Sequence, residues 1–114
     1  MSESQSKLSE VIDIHPAGPA PTGGPSRLLA KAETLEVRLL TLAKGREIPP
    51  HHARGEITVH CLEGRIAFTA AGATRELGPG QMLILAAGEP HSLVGLENAA
   101  VLVTKLLPAN LPTP

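Results

Sequence analysis

The sequence predicts an all-β protein: an antiparallel double-sheet β-barrel behind a flexible N-terminal arm. Three observations predict it. From Ser26 onward, short apolar runs alternate with Gly and Pro punctuation at roughly ten-residue spacing, the rhythm of a sandwich or barrel. Several runs have period-two character, as in Arg65-Ile-Ala-Phe-Thr69, which sets apolar side chains on one face of a strand. Helix-favouring composition is confined to Leu28–Leu42, and Lys31–Thr34 divides that stretch into two strands.

The arm comprises residues 1–25. Val11-Ile-Asp-Ile14 alternates and is able to pair on a sheet edge or on a partner subunit. The stretch from His15 to Pro25 is dense in Pro and Gly, which remove backbone donors and raise the entropy cost of order. The barrel comprises residues 26–114. Its expected strands are Arg27–Ala32, Leu35–Ala43, Glu56–Leu62, Arg65–Ala70, Ala73–Leu77, Gln81–Ala86, His91–Leu96 and Ala100–Leu107. Turn signals separate them: Lys44-Gly45, Glu63-Gly64, Ala71-Gly72, Gly78-Pro79-Gly80 and Gly88-Glu89-Pro90.

Composition narrows the function. The 114 residues fit one domain, and 42% are apolar, enough for a core. There is one Phe and no Trp or Tyr, so Leu, Val, Ile and Ala must build that core. Phe68 alone offers no platform for stacked bases, which argues against single-stranded nucleic acid. The net charge of −1 comes without a basic patch, so neither nucleic acid nor a membrane surface is an expected partner. Cys61 is the one cysteine; it excludes an internal disulfide, suits a reducing compartment and reads as a small buried hydrophobe. The N-terminus is polar, and no run approaches ~18 apolar residues, so the expectation is a soluble cytoplasmic protein. No phosphate loop, dinucleotide fingerprint, Gly-x-Ser-x-Gly elbow or glycosidase-like carboxylate pair is present.

Two segments carry chemistry. The first is Gly45-Arg-Glu-Ile-Pro-Pro-His51-His52-Ala53-Arg-Gly-Glu56-Ile57-Thr-Val-His60-Cys-Leu-Glu-Gly64. The second is Gly80-Gln-Met-Leu-Ile-Leu-Ala86-Ala-Gly88-Glu-Pro-His91-Ser-Leu-Val-Gly95. Together they resemble the paired motifs of the cupin superfamily of RmlC-like, jelly-roll barrels. Gly45, His51 and Gly64 match the first motif; Gly80, Gly88 and His91 match the second.

The resemblance implies a divalent transition metal (Zn, Fe, Ni or Mn) held by two histidines and a carboxylate from the first motif and a histidine from the second. Here Ala53 stands at the second histidine position and Ile57 at the carboxylate position; Ala86 and Gly95 replace the second motif's Pro and Asn. His51 and His91 survive. Two imidazoles hold such a metal only weakly, since stable sites use three or four protein ligands. His52 and Glu56 are the nearby replacement donors, should a one-residue slip turn them inward. In the register the resemblance favours, Ile57, Val59 and Cys61 face inward, and Glu56, Thr58 and His60 face the other way.

These readings favour a small-molecule-binding barrel whose pocket uses His51 and His91 as polar anchors. The alternatives are a metal-dependent dioxygenase or isomerase using the same histidines, and an acid–base enzyme with an unmetallated histidine. The sequence does not say which reaction, if any, is catalysed. Leu28-Leu29, Leu39-Leu40, Met82–Leu85 and Leu106-Leu107 place large aliphatics on both faces of their strands, so a homodimer packed sheet on sheet is expected.

Overall fold

Along Ile57-Thr-Val-His-Cys61 every second side chain is buried: Ile57 is 3% exposed, Val59 2% and Cys61 0%, while Thr58 and His60 are half-buried. This is the expected register. The inner face fixes where the strand sits, because a one-residue slip would bring Thr58 and His60 into the core.

The computed structural model describes residues 8–14 and 26–108. Nine strands follow in order: β1 (Ser26–Lys31), β2 (Leu35–Leu42), β3 (Glu47–His51), β4 (Ile57–Glu63), β5 (Ile66–Ala70), β6 (Ala73–Leu77), β7 (Met82–Leu85), β8 (His91–Gly95) and β9 (Ala99–Leu106). The described residues contain no helix. Leu28–Leu42, where helix composition competes, forms β1 and β2, with the break at 32–34. Val11–Ile14 forms no strand; Val11 is almost fully exposed and Ile12 half-buried. The Pro- and Gly-rich part of the arm, 15–25, lies outside the described residues.

The strands form two antiparallel sheets. One has the order β1-β2-β9-β4-β7, the other β3-β8-β5-β6. Their inner faces meet in one core: Leu42, Ile57, Val59, Cys61, Leu85, Val101 and Val103 from the first, Ile66, Phe68, Leu77 and Leu93 from the second. The Cys61 thiol lies 3.3 Å from the Glu63 carbonyl and donates to it, and burial pushes its pKa up.

Two expectations are corrected. The double sheet does not close into a barrel. β1 and β3 are the terminal strands of their sheets, and no backbone ladder joins one sheet to the other. The inner faces stay packed, but one flank between them stays open, as in a sandwich.

The second correction is β3, which falls between the expected strands, in the segment that carries Pro49 and Pro50. Proline lacks the N–H a central strand needs, yet β3 pairs with β8 alone, and an edge strand tolerates the loss. A register shift at the two prolines sets the facing of the strand. Ile48 is opposite Leu93 and His51 is opposite His91, so three steps along β3 match two along β8. The extra residue makes a bulge. Without it, position 50 would face His91 and His51 would turn to the outer side.

Outside the five-stranded sheet, Leu35, Met82, Ile84 and Leu106 are exposed. Cross-strand pairing of Thr58 with Ile84, His60 with Met82 and Leu35 with Leu106 sets these four on the face away from the core. It is the surface on which the expected homodimer contact would form.

Gly64 turns the β4–β5 connection with φ +73°, and a Cβ there would run into the Asn98 carbonyl. Gly80 has φ +84° but open space around it. Gly64→Ala should therefore cost about 2 kcal/mol or more, from strain plus a backbone clash, and Gly80→Ala about 1 kcal/mol from strain alone. Denaturant unfolding of the two variants measures the difference; equal losses would contradict it. The bulge gives a second prediction. Deleting one residue normally inverts the rest of a strand, but deleting Pro50 leaves Ile48 and His51 two apart, the same-face spacing. The His51–His91 pair should survive in that variant. A structure showing His51 on the outer side would refute the assignment of the bulge.

Candidate functional site

The open flank between the sheets is a cavity of about 340 Å³, within the usual range for small-molecule sites. Val59, Phe68, Leu93 and Val103, all buried, form its apolar wall. Leu40 and Ile48 extend that wall, and His51, His91, Ser26, Arg38, Arg46, Glu47 and Lys105 supply polar groups.

His91 opens β8, next to β3 on one side and β5 on the other. Its cross-strand neighbours are His51 and the small Ala70. The two imidazoles meet, with ring centroids 4.3 Å apart and planes tilted by 60°. On its other contact the His91 ring stacks on Phe68, with centroids 5.6 Å apart and planes 13° from parallel.

Each imidazole is fixed by the same local device. His51 Nδ1 is 3.0 Å from the Pro49 carbonyl, and His91 Nδ1 is 3.0 Å from the Glu89 carbonyl. A carbonyl only accepts, so Nδ1 donates in both rings. His91 is 6% exposed and is the one buried polar side chain of the described core. Burial pulls its pKa below the usual 6.5; the bond to Glu89 opposes this, while His51 and Lys105 add to it. At neutral pH its Nε2 therefore carries a lone pair. No described residue bonds that nitrogen, yet among the described residues every fully buried side-chain nitrogen or oxygen has a partner. His91 Nε2 thus reaches the open space of the cavity.

The other sequence candidates lie apart. His52 and Glu56 are exposed and do not line the cavity. Pairing of β4 with β9 is regular from Ile57 to Cys61, so the slip that would turn Glu56 inward is absent. Ala53 packs against the core and Ile57 is inside it, so both ligand positions the family would use are apolar surface here. Among the described residues no three His, Cys, Asp or Glu side chains converge as a metal-binding group. Two imidazoles without a third donor do not fit a resident metal centre.

Sequence reasoning missed Arg38 and Lys105. A signal for Arg38 existed: in Leu35-Glu-Val-Arg-Leu-Leu-Thr-Leu42, Glu36 and Arg38 share a face with Leu40 and Leu42. A charge on the inner side of a sandwich strand marks a pocket rather than a core. Arg38 Nε donates to Glu36 at 2.8 Å, and its Nη1 to the Ser26 hydroxyl at 3.1 Å.

Comparison with known proteins agrees with this architecture. No curated protein matches the sequence, whereas solved structures do. A conserved protein of unknown function from Streptococcus pyogenes (SPY1581) is 27% identical, with a TM-score of 0.76 over 95% of this chain and 96% of that one. A cupin superfamily protein from Desulfitobacterium hafniense is 17% identical, with a TM-score of 0.74 over 87% of this chain and 100% of the other. An RmlC-like cupin from Desulfovibrio desulfuricans is 24% identical, with a TM-score of 0.69 over 93% and 97% of the two chains. Residues 38–105, from the Arg38 of the cavity to its Lys105, match the family defined by the cupin domain. With two antiparallel sheets packed face to face and the motif histidines opposed across β3 and β8, this chain belongs to the cupin family.

Proposed function

We propose that this cupin binds a small molecule in the cavity between its sheets, with His51 and His91 as polar anchors and no tightly held metal. The observation that carries the reading is the imidazole pair, with centroids 4.3 Å apart, on the wall of a 340 Å³ cavity with an apolar floor. The floor supplies desolvation and the fixed rings supply direction, the usual division of labour in a ligand pocket. Phe68 and the Glu89 carbonyl hold His91 in place before any ligand arrives, which lowers the entropy cost of binding.

One observation favours the metal-dependent alternative. A histidine ligand commonly donates its second ring N–H to a carbonyl, as both rings do here. The apolar Ala53 and Ile57 weigh against it. Calorimetric titration with zinc and with nickel decides between the readings. We expect no tight one-to-one binding. Tight stoichiometric binding that disappears in His91→Ala would overturn the proposal and favour the enzyme.

His91 also makes stability depend on pH. Its folded-state pKa is depressed, so the unfolded chain takes up a proton first as pH falls. The stability held by neutral His91 is whole above 6.5 and is lost as pH drops from there towards the folded-state value. The melting temperature of the native protein should fall more steeply between about pH 7 and about pH 5 than that of His91→Asn, which keeps a donor for the Glu89 carbonyl but has no titrating ring. Parallel slopes would refute this.

A further inference from the structure

The inner face of the five-stranded sheet changes character along β9. Ala99, Val101 and Val103 are buried and apolar; the next residue on that face, Lys105, is half-buried and lines the cavity. Register explains its setting. Lys105 is opposite Ile57 on β4 and Glu36 on β2, and Arg38 is opposite Val103. Two cations therefore sit on adjacent strands at the cavity's edge, where alternation elsewhere puts aliphatics.

Their partners differ. Arg38 is satisfied by Glu36 and Ser26. Lys105 has no ion pair or side-chain hydrogen bond with a described residue, even though Glu36 is directly across the ladder. A partly buried ammonium gives up hydration, and without a counter-charge that loss is uncompensated. Arg46 adds a third cation to the lining, against Glu47 as its one acid. The opposite wall of the same cavity holds His91, whose Nε2 carries a lone pair at neutral pH and accepts a hydrogen bond but cannot donate one. The field of the Lys105 ammonium reaches that ring and helps keep it unprotonated, a smaller effect than burial.

We propose that the cavity takes a small hydroxylated carboxylic acid: its carboxylate against Lys105, backed by Arg38 and Arg46, and a hydroxyl donating to His91 Nε2. The inference rests on the small-molecule reading above and adds the class of ligand. The carboxylate supplies the counter-charge that Lys105 lacks. The hydroxyl supplies the donor that His91 lacks. A neutral polyol satisfies only the histidine, and a simple fatty acid only the lysine.

Gluconate is a suitable probe because every carbon beyond its carboxylate bears a hydroxyl, so it offers all spacings between ammonium and imidazole. Glucitol, with the carboxylate replaced by an alcohol, and hexanoate, without hydroxyls, are its matched controls. Binding is followed by amide chemical-shift changes in the full-length protein at neutral pH and low salt. Gluconate should bind at least about tenfold more tightly than either control, as expected for a charge-assisted contact added to a neutral one. Lys105→Met, which keeps the aliphatic stem, should reduce gluconate to the level of glucitol and leave glucitol unchanged; Lys105→Arg should retain the preference. Melting curves establish that both variants fold, and Arg38→Gln provides a second cation deletion should Lys105→Met not fold.

If glucitol binds as well as gluconate, or Lys105→Met leaves the preference intact, the acid-binding inference fails. Should binding in that case still be lost in His91→Leu, the small-molecule reading stands without it. If none of the three probes shifts the resonances of His51, His91, Phe68 or Lys105, the acid-binding inference falls, while the small-molecule reading still rests on the imidazole pair and the cavity.

Discussion

The stack of Phe68 on His91 joins the core of this protein to its cavity. Phe68 is the chain's one large aromatic side chain and is 2% exposed, so one of its surroundings is the aliphatic packing of both sheets. Another is the cavity wall, where it meets the imidazole. Burying a side chain of this size contributes about 1.5–3 kcal/mol. The same burial excludes water from one face of His91 and holds the ring in position. Phe68 therefore contributes to core stability and to site geometry at once. The rest of the core is Leu, Ile, Val, Ala and Cys, whose rings-free packing leaves no second stack to replace it.

The open flank follows from topology rather than from any unusual residue. A sheet buries its inner face against another sheet, but nothing requires the two to share a ladder. β1 and β3 end their sheets unpaired on one side. An unpaired edge is a hazard because it invites another strand, and proline is a common defence. Pro49 and Pro50 serve that defence on β3, and the bulge that lies at them sets His51 opposite His91.

The degraded ligand set has a physical consequence. Where a cupin metal site would present a histidine and a carboxylate, this chain has Ala53 and Ile57 packed on the core. Besides His51 and His91, the cavity is lined by Arg38 and Lys105 on the five-stranded sheet and by Arg46 before β3. The charged lining of the cavity is three cations, Arg38, Arg46 and Lys105, with Glu47 as the one acid. The ligand class proposed above rests on that lining.

Much of the fold was legible in the sequence because it depends on local rules. Period-two alternation and turn signals placed eight strands within a residue or two of their observed bounds, and the resemblance set the inward facing of Ile57, Val59 and Cys61. The positive φ of Gly64 and Gly88 followed from turn chemistry. The resemblance to the cupin motifs also singled out His51 and His91, which lie 40 positions apart and meet ring to ring. Three things were left to tertiary structure. β3 formed despite two prolines because only its neighbours reveal that it is an edge strand, where missing N–H groups cost little. Closure into a barrel was expected and does not occur, because pairing between sheet ends is a long-range property that alternation does not encode. Lys105 and Arg38 became cavity residues because the pairing of β2 with β9 brings together charges that are 67 positions apart in the chain, a juxtaposition set by register and by nothing in either segment alone.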